Sequence, residues 1–535
     1  MEATRHAGSH ARPPALERDL GLHMHGGPGY HDAVSTGATE WQRREWWWAA
    51  LLAAMIGSLG CAHLRGGGGP QGWHYAVKPS ATLDRLDVEL CFRDKIPAEL
   101  VADEDGAADY LLSATAGGRA LTIDREAGTI TAGDVRGKCL RYVVDLARMV
   151  DEVVERHMVR VGGVVATSPH LWLWRPTKLY QEAEVTLAFD LPARVAASVS
   201  WPRIGGEIGG EIAGTGRQPR FRLPTTAFRW ASQVVLGDFH AIRFTAAGTE
   251  FEVAVMDLPR EISDEGLRQW LTVAATTVAK LYEGRFPVPH MQVIVVPYPG
   301  SGDPVYFGMA LRGGGPAVQL LVSSEATDDQ FPGEWVAIHE FLHHGMPFVD
   351  GAWLSEGFVT YYTAVLRTRA GFQDERAAWA AMLAGFGRGA DSGAGQSLAE
   401  ESRTMHENAA YQRVYWGGAA IALMADVALR SADSSLDAAM RHVQRCCAHT
   451  PRIWPAEQVL QAMDGTPPGP GAAPTVSSRP SLETLSGPIL RSAGFPELLA
   501  IYRKLGVVVV NGDPTLDESA SLAPIRRAIF TQSSP

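Results

Sequence analysis

Two histidines four residues apart, His339 and His343, enclose a glutamate, Glu340, in the pattern H-E-x-x-H. On a helix, residues i and i+4 share a face, so both imidazoles can reach one ion. Zn2+ accepts neutral imidazole nitrogen well, and a catalytic site uses three protein ligands while keeping one position for water. The candidate third ligand is Glu356, separated from His343 by the twelve residues 344–355. A break at 345–347 and a turn at 349–351 allow a second helix to fold back on the first. Glu340 is turned off the metal face, where it can take a proton from an attacking water and later hand it to a leaving amine. His344 points elsewhere on the helix and reads as structural. H-E-x-x-H recurs by chance in a chain this long, and WLSEGF at 353–358 is what separates it from an ordinary amphipathic helix.

Such a site needs helices to carry it. Helical patterning is expected at 335–344, 353–369, 373–384 and 411–430, with a Gly-rich loop at 385–395 between the last two. Before them, a helical stretch at 267–282 leads into strand-like runs at 291–296 and 318–322. From 73 to 257 the pattern is short alternating or apolar runs, at 86–92, 184–189, 240–244 and 250–255, broken by Gly, Pro and Asp. A repeated G-G-E-I at 205–212 suggests a mobile loop. The fold class is therefore α+β. The expected division is a leader and export signal at 1–61, a Gly-rich tether at 62–72, a β-rich domain at 73–258, a catalytic domain at 259–450, and a C-terminal helical region at 451–535 interrupted by a Pro/Gly-rich loop at 465–480.

At 535 residues the chain exceeds one ordinary core. Hydrophobic residues at 46% and charged residues at 20% indicate a globular protein, and a net charge of -11 gives no basic surplus for phosphates. That argues against nucleic acid and leaves a peptide or protein substrate. Arg43 and Arg44 precede an uncharged run at 46–60, short for a membrane span of about 20 residues, that leads through small residues into Cys61. Export is expected, to a bacterial periplasm or cell envelope. A lipid on Cys61, ordinary cleavage and an uncleaved membrane anchor all stay open, since Ser58 stands where lipoprotein signals usually carry a branched aliphatic residue. Residues 1–40, with scattered His, Gly and Pro, read as a disordered leader. An oxidising compartment would permit a bridge between Cys91 and Cys139, whereas Cys446 and Cys447 read as small buried side chains.

The run from His339 to His343, followed by WLSEGFVTYY at 353–362, resembles the glutamate-zincin peptidases, most closely the glycyl aminopeptidase family, relatives of aminopeptidase N. The resemblance implies a β-rich N-terminal domain and a thermolysin-like zinc peptidase domain with a mixed sheet and a helical half. It also implies one Zn2+ per chain on His339, His343 and Glu356, with Glu340 catalytic. YWGGA at 415–419 is similar to the family's Y-x-K-G-A, which implies that Tyr415 donates a hydrogen bond to the oxyanion, with Gly417 in the lysine's place. SLAPIRRAI at 521–529 is similar to the family's C-terminal segment. FGMALR at 307–312 is similar to the substrate strand G-G-L-E-H-R, implying substrate contacts from Gly308, Met309, Ala310 and Arg312. Residues 313–315, before the run at 318–322, would let a peptide lie along an exposed sheet edge.

Two departures have consequences. The spacing from His343 to Glu356 is shorter than is usual in the aminopeptidase N group, so the turn between helices must be tighter. Ala310 replaces a glutamate that pairs with the substrate's free amine, and a buried ammonium without a counter-charge is unfavourable. Preference for free N-termini should therefore weaken. Two rival readings remain: a non-catalytic peptide-binding surface protein that keeps the fold, and a zinc hydrolase acting on another bond.

Overall fold

Strict alternation of burial drives the first half of the chain into sheets. Arg85–Phe92, for example, turns Leu86, Val88, Leu90 and Phe92 inward and leaves the residues between them at the surface. The computed structural model describes residues 72–531 apart from 134, 154–156, 206–217, 301, 394, 466–480 and 511–512. The leader, Cys61, nearly all of the tether, nearly all of the G-G-E-I loop and almost all of the Pro/Gly-rich loop lie outside the described residues. A seven-stranded sheet and two four-stranded sheets make up the N-terminal half around a core of its own. Cys91 and Cys139 stand opposite each other on antiparallel strands and form a disulfide.

The second half is built on a five-stranded mixed sheet: β1 (His240–Ala246), β2 (Thr249–Val255), β3 (His290–Tyr298), β4 (Val305–Leu311) and β5 (Ala317–Ser323), in the order β1-β2-β3-β5-β4. Strands β1 and β2 thus belong to this sheet and not to the β-rich half, in which residues up to 258 were expected. Their short runs look like any other strand locally, and what recruits them is the parallel pairing of β2 with β3, which alternation does not encode. Among the described residues, strand β4 pairs only with β5 and is a sheet edge.

Helix α1 (Asp264–Ala279), capped by the Ser263 hydroxyl, packs beneath this sheet. Then come α2 (Val336–His343), α3 (Ala352–Arg369), α4 (Glu375–Asp391), α5 (Leu398–Arg403), α6 (Tyr411–Arg430) and α7 (Leu436–Cys446). The expected loop at 385–395 is a correction: α4 runs on to Asp391. Glycine here serves contact, because a Cβ on Gly385 would lie 2.3 Å from the Trp416 ring and one on Gly389 2.7 Å from the Phe495 ring. Cys446 and Cys447, expected as small buried side chains, are bonded to each other at the end of α7, with Cys447 buried and Cys446 exposed. Short helices at Ala456–Met463, Leu482–Leu490, Leu499–Leu505 and Ala523–Phe530 join the same core as α3 and α6. No described helix is long and apolar enough to cross a membrane.

The halves meet along a third cluster. Val164, Ala166 and Val235 from the first pack on Ile294, Val296, Met309 and Leu311 from the second. Residues 313–315 belong to this joint and form no open ledge for a peptide. A Cβ on Gly313 would lie 2.1 Å from the Trp230 carbonyl oxygen, and one on Gly315 1.9 Å from that of Ser200. The Trp201 indole N–H donates to the Gly313 carbonyl at 3.2 Å. Among the described residues, the sheet edge that lies against α2 is β4.

Candidate metal centre

Helix α2 is short and wholly buried, and both of its ends are tied down by side chains. At its start the Glu334 carboxylate accepts from the Val336 and Ala337 N–H groups at 2.8 and 3.2 Å. At its end Arg312 donates to the carbonyls of His343 and Met346, the latter at 2.7 Å. His344 is pinned to the sheet, its Nε2 3.1 Å from the Ala317 carbonyl oxygen. The turn to α3 is braced by Phe348–Val349, which pairs in parallel with Ile453–Trp454.

This tight connection returns Glu356 to the histidines. Its Oε2 lies 3.3 Å from the Nε2 of His339 and 3.3 Å from that of His343. One ligand atom from each of the three residues falls within 4.8 Å of the others, and all three residues are buried. Two imidazoles and one carboxylate, in a pocket this small, fit Zn2+. Burial pushes the Glu356 carboxyl up, but the facing imidazoles outweigh it and hold the group well below its usual range. Burial lowers His343, yet the Glu356 charge leaves it raised overall.

A residue that sequence reasoning missed orients one ligand. Thr363, two turns beyond Glu356 on α3, donates its hydroxyl hydrogen to the Val359 carbonyl at 2.8 Å. Its oxygen lies 3.4 Å from His339 Nδ1 and so favours a proton there, leaving Nε2 free to ligate. The seven-residue spacing from Glu356 is the only sequence signal that would have suggested it.

Glu340 reaches the centre from the β4 side. A Cβ on Gly308 would come within 2.6 Å of both Glu340 Cγ and Val336 Cγ1, so glycine is what allows α2 to lie against the strand. Burial raises the Glu340 carboxyl, opposed by both histidines and by a hydrogen bond from the Ala310 backbone N–H. Tyr415, on α6, stacks on the His339 ring with centroids 6.2 Å apart and planes 10° apart. Its hydroxyl faces Glu356, and burial followed by the Glu356 and Glu340 charges raises it well above the usual phenol range. Helices α3 and α6 touch backbone to backbone here, since a Cβ on Gly418 would lie 1.9 Å from the Trp353 carbonyl oxygen.

The structure divides the expected substrate contacts. Gly308 and Ala310 lie on the α2 side of the edge strand. Met309 is buried in the joint with the N-terminal half, and the Arg312 guanidinium is held by the carbonyls at the end of α2, where its charge still acts on Glu356 and His343. Alternation along β4 accounts for Met309, which points to the face opposite Gly308 and Ala310.

A buried two-histidine, one-glutamate cluster on two successive helices beside a mixed sheet is a ligand set suited to zinc. No family profile and no curated protein matches the sequence. Solved structures do. The chain is similar to an aminopeptidase N family protein from Idiomarina loihiensis, at 15% identity and a TM-score of 0.64, covering 82% of this chain and 78% of that one. It is also similar to an M1 zinc metallopeptidase from Deinococcus radiodurans, at 14% identity and a TM-score of 0.50, covering 80% and 94%. A two-domain M1 zinc metallopeptidase variant bound to L-arginine gives 14% and 0.51, covering 80% and 95%. The chain has the fold of the M1 zinc metallopeptidases, as the resemblance in its motifs implied.

Proposed function

We propose that this chain is an exported zinc-dependent peptidase that hydrolyses peptide bonds without requiring a free N-terminus. The observation that carries the reading is the convergence of Glu340 and Tyr415 on the cluster of His339, His343 and Glu356, beside a free sheet edge. Bound Zn2+ would act as a Lewis acid and lower the pKa of water. Glu340 takes the proton of the attacking water, and its burial suits it to pass that proton to the leaving amine. The Tyr415 hydroxyl, kept protonated by its surroundings, donates to the developing oxyanion. The β4 backbone aligns the substrate as an added strand.

Ala310 offers no carboxylate to an ammonium group. Asp303 and Glu325 both act on Tyr298, which pairs with Ser323, whereas Ala310 pairs with Val318 five residues back along β5, and this separation supports the absence of a substitute. Matched free and acetylated peptides test the proposal. Zinc-loaded protein should cleave both sets with kcat/KM values within about 10-fold of each other, the scale of one missing charge-assisted hydrogen bond. Strict rejection of the acetylated set would show that an amine anchor exists, and no cleavage of either set would remove the peptidase reading.

The pairing of Cys91 with Cys139 supports export to an oxidising compartment. Membrane anchoring through the N-terminal segment or a lipid on Cys61 belongs to the same proposal. Cell fractionation should find a mature chain lacking the residues before about Cys61 in the envelope. An intact cytosolic chain would overturn it.

A further inference from the structure

The metal-binding stripe of α2 continues outward in an aromatic ring. Trp335, His339 and His343 recur at four-residue intervals, so their side chains follow one another along one face. The Trp335 indole stands edge-on to the His339 ring, with centroids 6.0 Å apart, yet 51% of the residue's surface is exposed. Loose packing does not explain this, because the apolar residues that follow it, Val336, Ile338, Phe341 and Leu342, are all buried. Among the described residues, Trp335 is the one tryptophan in the set of exposed large hydrophobics. The preceding Glu334 turns its carboxylate back onto the α2 N–H groups and adds no charge to the outer face of the indole. A rigid aromatic face held in water, one helical turn from a metal ligand, is suited to an apolar side chain of whatever lies across that metal.

We infer that Trp335 is a specificity-determining residue. It forms one wall of a subsite that takes a large apolar side chain next to the scissile bond, so the preferred substrates are peptides with Phe- or Leu-like residues there. This rests on the peptidase reading above, but its test does not depend on turnover. Zinc-loaded Glu340→Gln protein is titrated calorimetrically with acetylated peptides made otherwise of Gly and Ser, each with a central Phe, Leu, Gly or Asp. The Phe and Leu peptides should bind at least about 10-fold tighter than the Gly and Asp peptides. Adding Trp335→Ala should reduce that ratio to about 2-fold, whereas Trp335→Phe should keep most of it. Zinc content and Tm show that each variant is folded. A ratio unchanged by Trp335→Ala, or no ratio at all in the parent, would overturn the assignment. The peptidase reading is judged separately on the unaltered protein: selective binding without cleavage would sink that reading and leave the subsite in place.

Discussion

His339, His343 and Glu356 each present one atom to a common point, so the removal of one should be felt by the metal and little by the fold. His343→Ala is expected to abolish stoichiometric zinc, and metal analysis showing full occupancy would mean the ligands are misassigned. Glu340→Gln should retain zinc while losing turnover by about 10²-fold or more, and Tyr415→Phe should lower kcat by about 10²-fold. Near-normal rates from both variants would take them out of the mechanism. These residues were legible because their spacing is local, one helix for the pair and one tight return for the glutamate. Thr363 and Arg312 were not. Their partners, His339 and the end of α2, lie 24 and 31 residues away in sequence, and only the fold makes them neighbours. The resemblance named Arg312 as a substrate contact, but its hold on the end of α2 is visible only in the fold.

At the scale of elements, the crossing of α3 and α6 sets the distance between Glu356 and Tyr415. Gly418→Ala would drive a methyl group into the Trp353 carbonyl, and a Cβ on Gly357 would meet Gly418 Cα at 2.3 Å. Either substitution should cost about 1 to 3 kcal/mol or more and lower kcat by separating the helices. Gly387→Ala is the control: it lies in α4 with nothing within 4 Å of the added carbon, so it should stabilise by about 0.5 to 1 kcal/mol. Calorimetric Tm values with opposite signs would confirm both, and equal shifts would refute the contact reading. Helix boundaries at such glycines were illegible in the sequence, where a cluster of Gly reads as a loop. A second device acts on α2. Burial raises the Glu334 carboxyl from 4.5 to about 7, against the pull of the Val336 and Ala337 N–H groups. At this residue the folded protein then holds more proton than the unfolded chain between these values, so the contribution of Glu334 to stability falls as pH rises from about 4.5 to about 7 and levels off above. Denaturation at several pH values should show this slope diminished in Glu334→Gln.

The whole molecule joins two cores through a thin apolar seam, and the first core carries its own staple. Cys91 and Cys139 close a loop of 48 residues, and replacing both with Ser should lower the stability of the N-terminal half by about 2 to 4 kcal/mol. Zinc content should not change, and loss of metal in that variant would show that the halves fold as one. The β-rich first half and helical second half were legible from a change of periodicity, but the seam was not, because the pairing of β2 with β3 and the burial of residues 313–315 are both long-range. Strand β4 has a further consequence. A free edge recognises main chain, and a segment held in a helix or already paired in a sheet has none to offer. Under the peptidase reading, the rate of attack on a protein is set by how often its target segment comes loose. The same sequence would be spared in a stable protein and cut in a damaged one, so that the thermodynamic state of the substrate, as much as its side chains, decides its fate.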